Sequence, residues 1–327
     1  MANTMRSTDF RAIVEPILNE EFDGVYEQRK DEWQGPFRQQ TGIPRNYHEE
    51  PVLYGFGAAP ELPDGEPVTY QAGGTFWIKR YQYRVWGLAF ALTQVLVEDG
   101  DHIRIGQVYA RHLGQSLVET KETLTANILN RAFNSSYVGG DGVCLNSASH
   151  PLVSGTFSNL LSTAAALSQT SLEQMLVQVR QAVDNNGKKI RLQPRAITCA
   201  PANVFQAETI LKSALRTGTA NNDVNPIASL GLLKEGQFNM SRLTSNTAWW
   251  VNTDAPEGLK LMMRRPLKRS MEGDFETDTM RFKATERYIP GWTDPRTAYG
   301  TPGLAVALTA GATWMMSAAG ALGALFS

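Results

Sequence analysis

The 327-residue sequence is short of the residues that usually carry chemistry: two cysteines, four histidines and no surplus of charge of either sign. Cys144 and Cys199 lie in apolar or small-residue surroundings without CxxC spacing. That reads as buried free thiols in a reducing compartment and excludes a disulfide framework. His48, His102, His112 and His150 show no ligand spacing, so no metal centre is expected. With 31 basic against 32 acidic side chains, the chain lacks the basic excess of a protein that grips nucleic acid through phosphates. The N-terminus, with Arg6, Asp9, Arg11 and Glu15, has no apolar signal core, which points to synthesis and retention in the cytoplasm.

Catalytic signatures are missing as well. There is no GxxxxGK[ST], HExxH or GxSxG. Gly55-Phe-Gly57-Ala-Ala-Pro60 has proline where a dinucleotide loop needs its third glycine, and no strand–helix context. Asp141, Ser147, Ser149 and His150 imitate hydrolase parts, yet a triad is assembled from distant segments, and His150 before Pro151 reads as a turn residue. Asp274, Glu276 and Asp278 beside Gly273 read as a solvated hairpin turn rather than a cation site. No enzymatic activity and no cofactor are expected.

What is present is a mixture of extended segments and three helices. Residues 1–50 are polar and interrupted. Phe10, Ile13, Val14, Ile17 and Leu18 predict a short helix kinked or broken at Pro16, followed by Gly35-Pro36, Ile43-Pro44 and Glu50-Pro51. This is a poor core element and a plausible extended arm. A Gly/Pro-rich stretch over 55–75 leads into strand-like alternation from Thr75 to Leu96. A hairpin of this kind is marginal alone in water, so it needs something to lie on. A long helix is predicted over 102–133, with Ile103, Ala110, Leu113, Leu117, Leu124, Ile128 and Ala132 on one face and Arg104, Gln107, Arg111, Gln115, Glu119 and Glu122 on the other. A second helix starts at Thr170, with a Thr170–Glu173 capping box, a stripe of Leu172, Met175, Leu176, Val179 and Val183, and Asn186-Gly187 as its C-cap. A buried strand at 196–199 precedes a third helix opened by Pro201, with Val204, Ala207, Leu211 and Leu215 inward and Gly218 at its end. Residues 217–226 read as a polar loop, and Thr247–Asn252, Leu259–Arg264 and Thr279–Tyr288 as strands. Helices and strands do not alternate regularly, so the class is α+β.

The stretch Asp141-Gly142-Val143-Cys144-Leu145, Ser149-His150-Pro151, the capped helix and Arg195-Ala196-Ile197-Thr198-Cys199-Ala200-Pro201 resemble, in order and spacing, the middle of a tailed-bacteriophage major capsid protein of the Hong Kong 97-type fold. Arg281-Phe282-Lys283, Arg287-Tyr288, Asp294-Pro295-Arg296, Tyr299-Gly300 and Gly303 extend the likeness. The resemblance implies an N-terminal arm (1–50), an extended hairpin loop and its base (51–98), a peripheral domain with a spine helix (99–145), an axial domain (146–255), return strands of the peripheral domain (256–303) and an apolar C-terminal tail (304–327). It implies a structural subunit that self-assembles into hexamers and pentamers of an icosahedral head enclosing double-stranded DNA, without sequence-specific contacts. The implied partners are other copies of the chain, a portal, a decoration protein and a separate scaffolding protein, since only some 50 residues precede the hairpin. Inter-subunit contacts are expected at the hairpin, through Pro60, Leu62, Pro63, Asp64, Gly65, Lys79 and Arg80. The basic cluster Arg264, Arg265, Lys268 and Arg269 is expected to form inter-subunit ion pairs. Lys79 lies away from the glycine-rich tip, which argues against a lysine cross-link.

The tail departs from this pattern. Leu304–Ser327 contains no charged residue, long enough to span a bilayer, with small residues of the kind that pack membrane helices. It is only moderately hydrophobic, and no Lys or Arg flanks its C-terminal end, so the sequence favours a tail buried against the shell over a membrane anchor. Two alternatives stay open at this point: a tail-anchored membrane protein with a soluble α+β domain, and an encapsulin-like compartment shell of the same fold.

Overall fold

The computed structural model describes residues 7–27, 31–42, 45–93, 102–216, 223–274 and 279–303. The tail from Leu304, Glu276 and Asp278 of the acidic run, and most of the polar loop after Thr217 lie outside them. Helix α1 (Ser7–Tyr26) is followed by strands β1 (Arg38–Gln40), β2 (Tyr47–Tyr54), β3 (Gly74–Gln82) and β4 (Arg84–Thr93), then the long helix α2 (His102–Asn130). After the short strands β5 (His150–Pro151) and β6 (Thr156–Phe157) come α3 (Gln169–Arg180), β7 (Pro194–Cys199), α4 (Val204–Lys212), α5 (Pro226–Leu230), β8 (Gln237–Asn239) and β9 (Trp249–Thr253). The long strands β10 (Lys260–Asp274) and β11 (Thr279–Gly291), then β12 (Ala298–Thr301), close the described chain.

Two four-stranded sheets organise these elements, one in the order β1-β10-β11-β4 and the other β12-β9-β7-β8, with β2-β3 as a separate hairpin. In the first sheet the period-2 alternation of β10 and β11 turns Met271, Phe282 and Ala284 inward. They meet Val14, Leu18 and Phe22 of α1 and Ala110, Leu113 and Leu117 of α2. Helix α1 is therefore continuous and part of the core, where the sequence predicted a short broken helix in a loose arm. Pro16 sits on the exposed side of α1, so its lost hydrogen bond falls where water replaces it, while packing on the other side holds the helix. Trp33 and Phe37, also within the predicted arm, are buried.

The predicted apolar face of α2 is largely inward, with Ile103 exposed near its start. Its polar face departs from expectation at Glu122, which is buried, as is neighbouring Lys121. Lys121 Nζ lies 3.1 Å from Glu286 of β11, and Tyr26 bonds both groups. This is a buried ion pair in which Tyr26 and Lys121 both bond Glu286 Oε1, support that such a pair needs once it is taken out of water.

In the second sheet, Ile197, Cys199, Trp249, Val251 and Tyr299 pack on Leu172, Met175, Leu176 and Val179 of α3. The N-cap of α3 lies two residues before the predicted one. Ser168 is the N-cap, forming a reciprocal box with Ser171. A serine hydroxyl is as good an acceptor as threonine, and Ser168–Ser171 has the same spacing as Thr170–Glu173, so the register was ambiguous in sequence. Asn186-Gly187 is not the C-cap of α3: Gly187 has φ +80° in a tight turn whose arms meet at Val183 and Lys189. Helix α4 ends at Lys212, leaving Leu215 exposed rather than inward. A third cluster, with Trp33, Leu129, Leu145, Trp250, Leu261, Tyr288 and Trp292, draws on both sheets and α2 and ties them into one core. Cys144 and Cys199 are buried free thiols, and burial pushes Cys199 up to about 11.

Candidate assembly surface

Strands β2 and β3 pair in antiparallel register from Tyr47↔Gln82 to Tyr54↔Gly74, about 27 Å of ladder. The alternation seen in sequence holds here. Trp77 and Tyr81 turn toward the body and are buried, whereas Ile78, Arg80 and Gln82 face out. Tyr81 donates to Trp292 O at 2.5 Å and lies 2.6 Å from Thr293 Oγ1. Glu50 of β2 receives Lys260 Nζ at 2.5 Å and Thr293 Oγ1, and Lys260 also reaches Glu257 at 2.6 Å. Burial works against the charge on Glu50, but the Lys260 and Thr293 bonds outweigh it and hold its carboxyl below the usual range.

Two glycines let the hairpin seat. A Cβ on Gly139 would lie 2.2 Å from the Trp292 ring, and one on Gly140 would lie 2.6 Å from Trp77. The pair is a socket for two indoles, one from β3 and one following β11. Further out, Asn185 donates to Leu53 O at 3.1 Å, Asn186 to Gly55 O at 2.7 Å and Lys188 to Phe56 O at 2.5 Å. The turn after α3 thus holds the neck of the hairpin, and residues 58–73 extend beyond it.

The structure gathers Pro60, Leu62, Pro63, Asp64 and Gly65 at this tip, all exposed. Glu66 N donates to Pro63 O at 3.2 Å across a turn with Gly65 at φ +84°, the left-handed position a type II turn requires at its third residue. Phe56, Leu62, Val68 and Tyr70 are exposed here, Tyr70 at 96%. That is an unusual concentration of uncovered apolar surface on one projecting loop. Lys79 and Arg80 are not at the tip. Lys79 Nζ donates to Val138 O at 3.0 Å, and burial lowers its pKa against the pull of Asp141. Arg80 stacks over Tyr47 at 4.0 Å. Both have partners within their own subunit.

The expected cluster on β10 divides. Arg269 pairs with Asp23 of α1, donates to Asn19 O at 3.3 Å and lies over Phe22. Against the expectation of inter-subunit pairing, it fastens α1 within the subunit, because β10 turns it to the helix-covered side with Met271. Arg264 bonds Asn46 Oδ1 at 3.2 Å and Arg265 bonds Thr285 Oγ1 at 3.0 Å. Arg265 and Lys268 are exposed. Missed in sequence were the cations of β11, which cross-strand register places beside them.

The Asp141–Pro151 motif is a structural knot. His150, read in sequence as a turn residue, is fully buried in β5. Its Nδ1 lies 2.7 Å from Asp141 and its Nε2 3.1 Å from Asn159. Asn159 in turn donates to Leu145 O and Pro295 O. With both ring nitrogens occupied, His150 is not paired with Ser147 or Ser149. The missed residue is Asn159, whose only sequence signal was an asparagine in an apolar surround. Among the described residues no His/Cys/Asp/Glu group is placed to hold a metal ion, and no helix is long and apolar enough to cross a membrane.

A family model described as phage capsid protein matches residues 79–301, more than half of the sequence. The chain belongs to the phage capsid protein family. No curated protein matches it. Among solved structures, a virus-like particle from Pyrococcus furiosus is similar at a TM-score of 0.53 and 11% identity, covering 88% of this chain and 98% of that one. The capsid of the cyanophage P-SCSP1u gives 0.53 and 14%, over 83% and 88%. The procapsid of bacteriophage JBD30 gives 0.50 and 11%, over 93% and 79%. At these identities the likeness shows the fold, which is α+β of the Hong Kong 97 type. The family supplies the role: a structural major capsid protein that assembles into the shell of the virion.

Proposed function

We propose that this capsid protein forms hexamers and pentamers of an icosahedral head around double-stranded DNA, assembled in the host cytoplasm and without enzymatic activity. The carrying observation is the β2-β3 hairpin: its base is fixed by buried polar bonds, while its tip exposes Phe56, Leu62, Val68 and Tyr70. A rigid arm with an uncovered apolar end suits contact with a neighbouring copy. In this reading Pro60, Leu62, Pro63, Asp64 and Gly65 make that contact, with Arg265 and Lys268 available on the sheet. Lys79 and Arg80 instead set the angle of the hairpin.

The same reading treats residues 99–145 and 256–303 with the first sheet as the peripheral domain, 146–255 with the second sheet as the axial domain, 51–98 as the extended loop and 1–50 as the arm. A separate scaffolding protein, a portal and a decoration protein would be its partners, and the near-neutral charge fits DNA enclosed without sequence-specific contacts. Deleting Leu62–Gly73 tests this. The variant should fold as a subunit and fail to complete a shell. Normal shells from the deletion would contradict the inter-subunit role of the tip.

A further inference from the structure

The two longest stretches of this sequence without Asp, Glu, Lys or Arg are residues 142–172 and 297–327. The fold lays their described parts side by side. Leu160 and Gly300 form a parallel bridge, and Ala165 N donates to Thr301 Oγ1 at 3.4 Å. Segment 158–165 and α3 are the walls of an open groove of about 650 Å³. Gln178 ties the walls together near one end, donating to Ser158 O and Leu160 O, both at 2.9 Å. On the helix wall Thr170, Gln174, Val177 and Gln181 recur at helical spacing and are exposed. The outward side of a surface helix ordinarily carries charge. This stripe carries none, and Val177 within it is 54% exposed.

The chain leaves β12 at the other end of the groove. Strand β12 runs beside 158–165 in the same direction, toward the Ser168 end of α3. Pro302-Gly303 follows, with Gly303 at φ +76°, the residue types and the left-handed second position of a type II turn. Thr247 Oγ1 donates to Pro302 O at 3.2 Å, and a Cβ on Gly303 would lie 2.3 Å from Thr247 O, so glycine alone fits. Such a turn sends the next residues back along α3. Leu304, Val306 and Leu308 alternate with Ala305 and Ala307, so an extended run puts the branched side chains on one side. At about 3.3 Å per residue that run reaches the level of Val177, which stands about 14 Å along α3 from Ser168. We infer that Leu304–Leu308 docks in the groove of its own subunit, covering the uncharged side of α3. A segment without charge leaves no ion to be desolvated there. Attachment through so short a connection gives it a local concentration that a second copy or a foreign peptide does not match.

Cysteine accessibility tests the docking, and no arm of the test depends on the chain forming shells. Native Cys144 and Cys199 are buried, so a soluble thiol reagent reports an introduced cysteine. Full-length V177C is compared with full-length F205C, whose site on α4 is 83% exposed, at a dilution where the chain sediments as single subunits. With Leu304–Leu308 in the groove, V177C should label about tenfold more slowly than F205C. V177C/V306D, which places a charge in the docked segment, should recover to within about threefold of F205C, and V177C/V306G carries the test if the charged variant melts early. V177C labelled as quickly as F205C, or a slow rate that the Val306 variants leave unchanged, would overturn the docking. Protection that appears only in concentrated protein would assign the groove to a neighbour's segment and overturn the same-subunit reading. So would a V177C rate that rises about tenfold with phosphatidylcholine–phosphatidylglycerol vesicles on which the chain floats, which would make the tail a membrane anchor.

Discussion

Lys260 of β10 and Glu50 of β2 meet at 2.5 Å with both side chains almost wholly buried, and this contact joins the base of the hairpin to the body of the subunit. Removing one partner of a buried pair leaves the other charge without compensation. Lys260→Met should therefore destabilise the subunit by about 3–5 kcal/mol. The double variant Lys260→Met with Glu50→Gln should recover much of the loss. Urea unfolding of the four proteins in the cycle gives the coupling, and an additive double variant would show that the contact does not act as a pair.

Two buried carboxylates should give the subunit opposite pH dependences. Glu50 is held below its ordinary 4.5. Its contribution is present above that value and is lost as pH falls through the depressed folded value. Glu122 is pushed up to about 7, chiefly by burial and further by Asp31 and Glu32, against the backbone N–H of Glu32 at 2.6 Å. The folded state holds its proton between 4.5 and 7, so its contribution is complete below about 4.5 and is lost as pH rises through 7. Glu122→Gln should flatten the melting temperature over pH 4.5–7 and leave the acid limb unchanged. A variant whose melting curve tracks the parent across that window would show that Glu122 does not titrate there.

Gly139 and Gly140 admit the two indoles that seat the hairpin. Gly139→Val would drive a side chain into Trp292, with Asp141 Oδ1 also only 2.6 Å from the new Cβ. Overpacking of this kind costs about 1–3 kcal/mol. Because Trp292 lies beside Tyr81, protection of β3 amides from hydrogen exchange should fall more than that of β9. Uniform loss across the subunit would indicate general destabilisation instead.

Leu117 of α2 is 4% exposed in the cluster with Val14, Phe22 and Phe282. Leu117→Asp buries an unpartnered charge, at a cost of several kcal/mol, and should abolish soluble subunit. An unchanged melting temperature would refute the inward assignment of this face.

Much of the fold was legible because period and position sufficed. The Ala110–Leu113–Leu117 spacing set the inward face of α2, and the extended pattern over Thr279–Tyr288 marked the strand β11 without its facing. What escaped depended on partners distant in sequence. Glu122 sits at a polar helical spacing, and only the 31–33 segment crossing over it makes it buried. Glu286 occupies an inward position of β11, a signal that was present, but its partners Lys121 and Tyr26 come from two helices. Pro16 weighed too heavily, since packing on the far side of α1 overrides a solvent-side proline. For the assembly surface, the tip residues were readable from their Gly/Pro setting. The grouping of Lys268 with Lys283 was not, because the two come together only once the β10-β11 register is known.

The most direct measurement is negative-stain imaging with sedimentation of the purified full-length chain, with its scaffolding protein present if assembly needs one. The account predicts closed, size-uniform shells or capsomer-sized rings. A stable monomer at every protein concentration, with scaffold supplied, would contradict it.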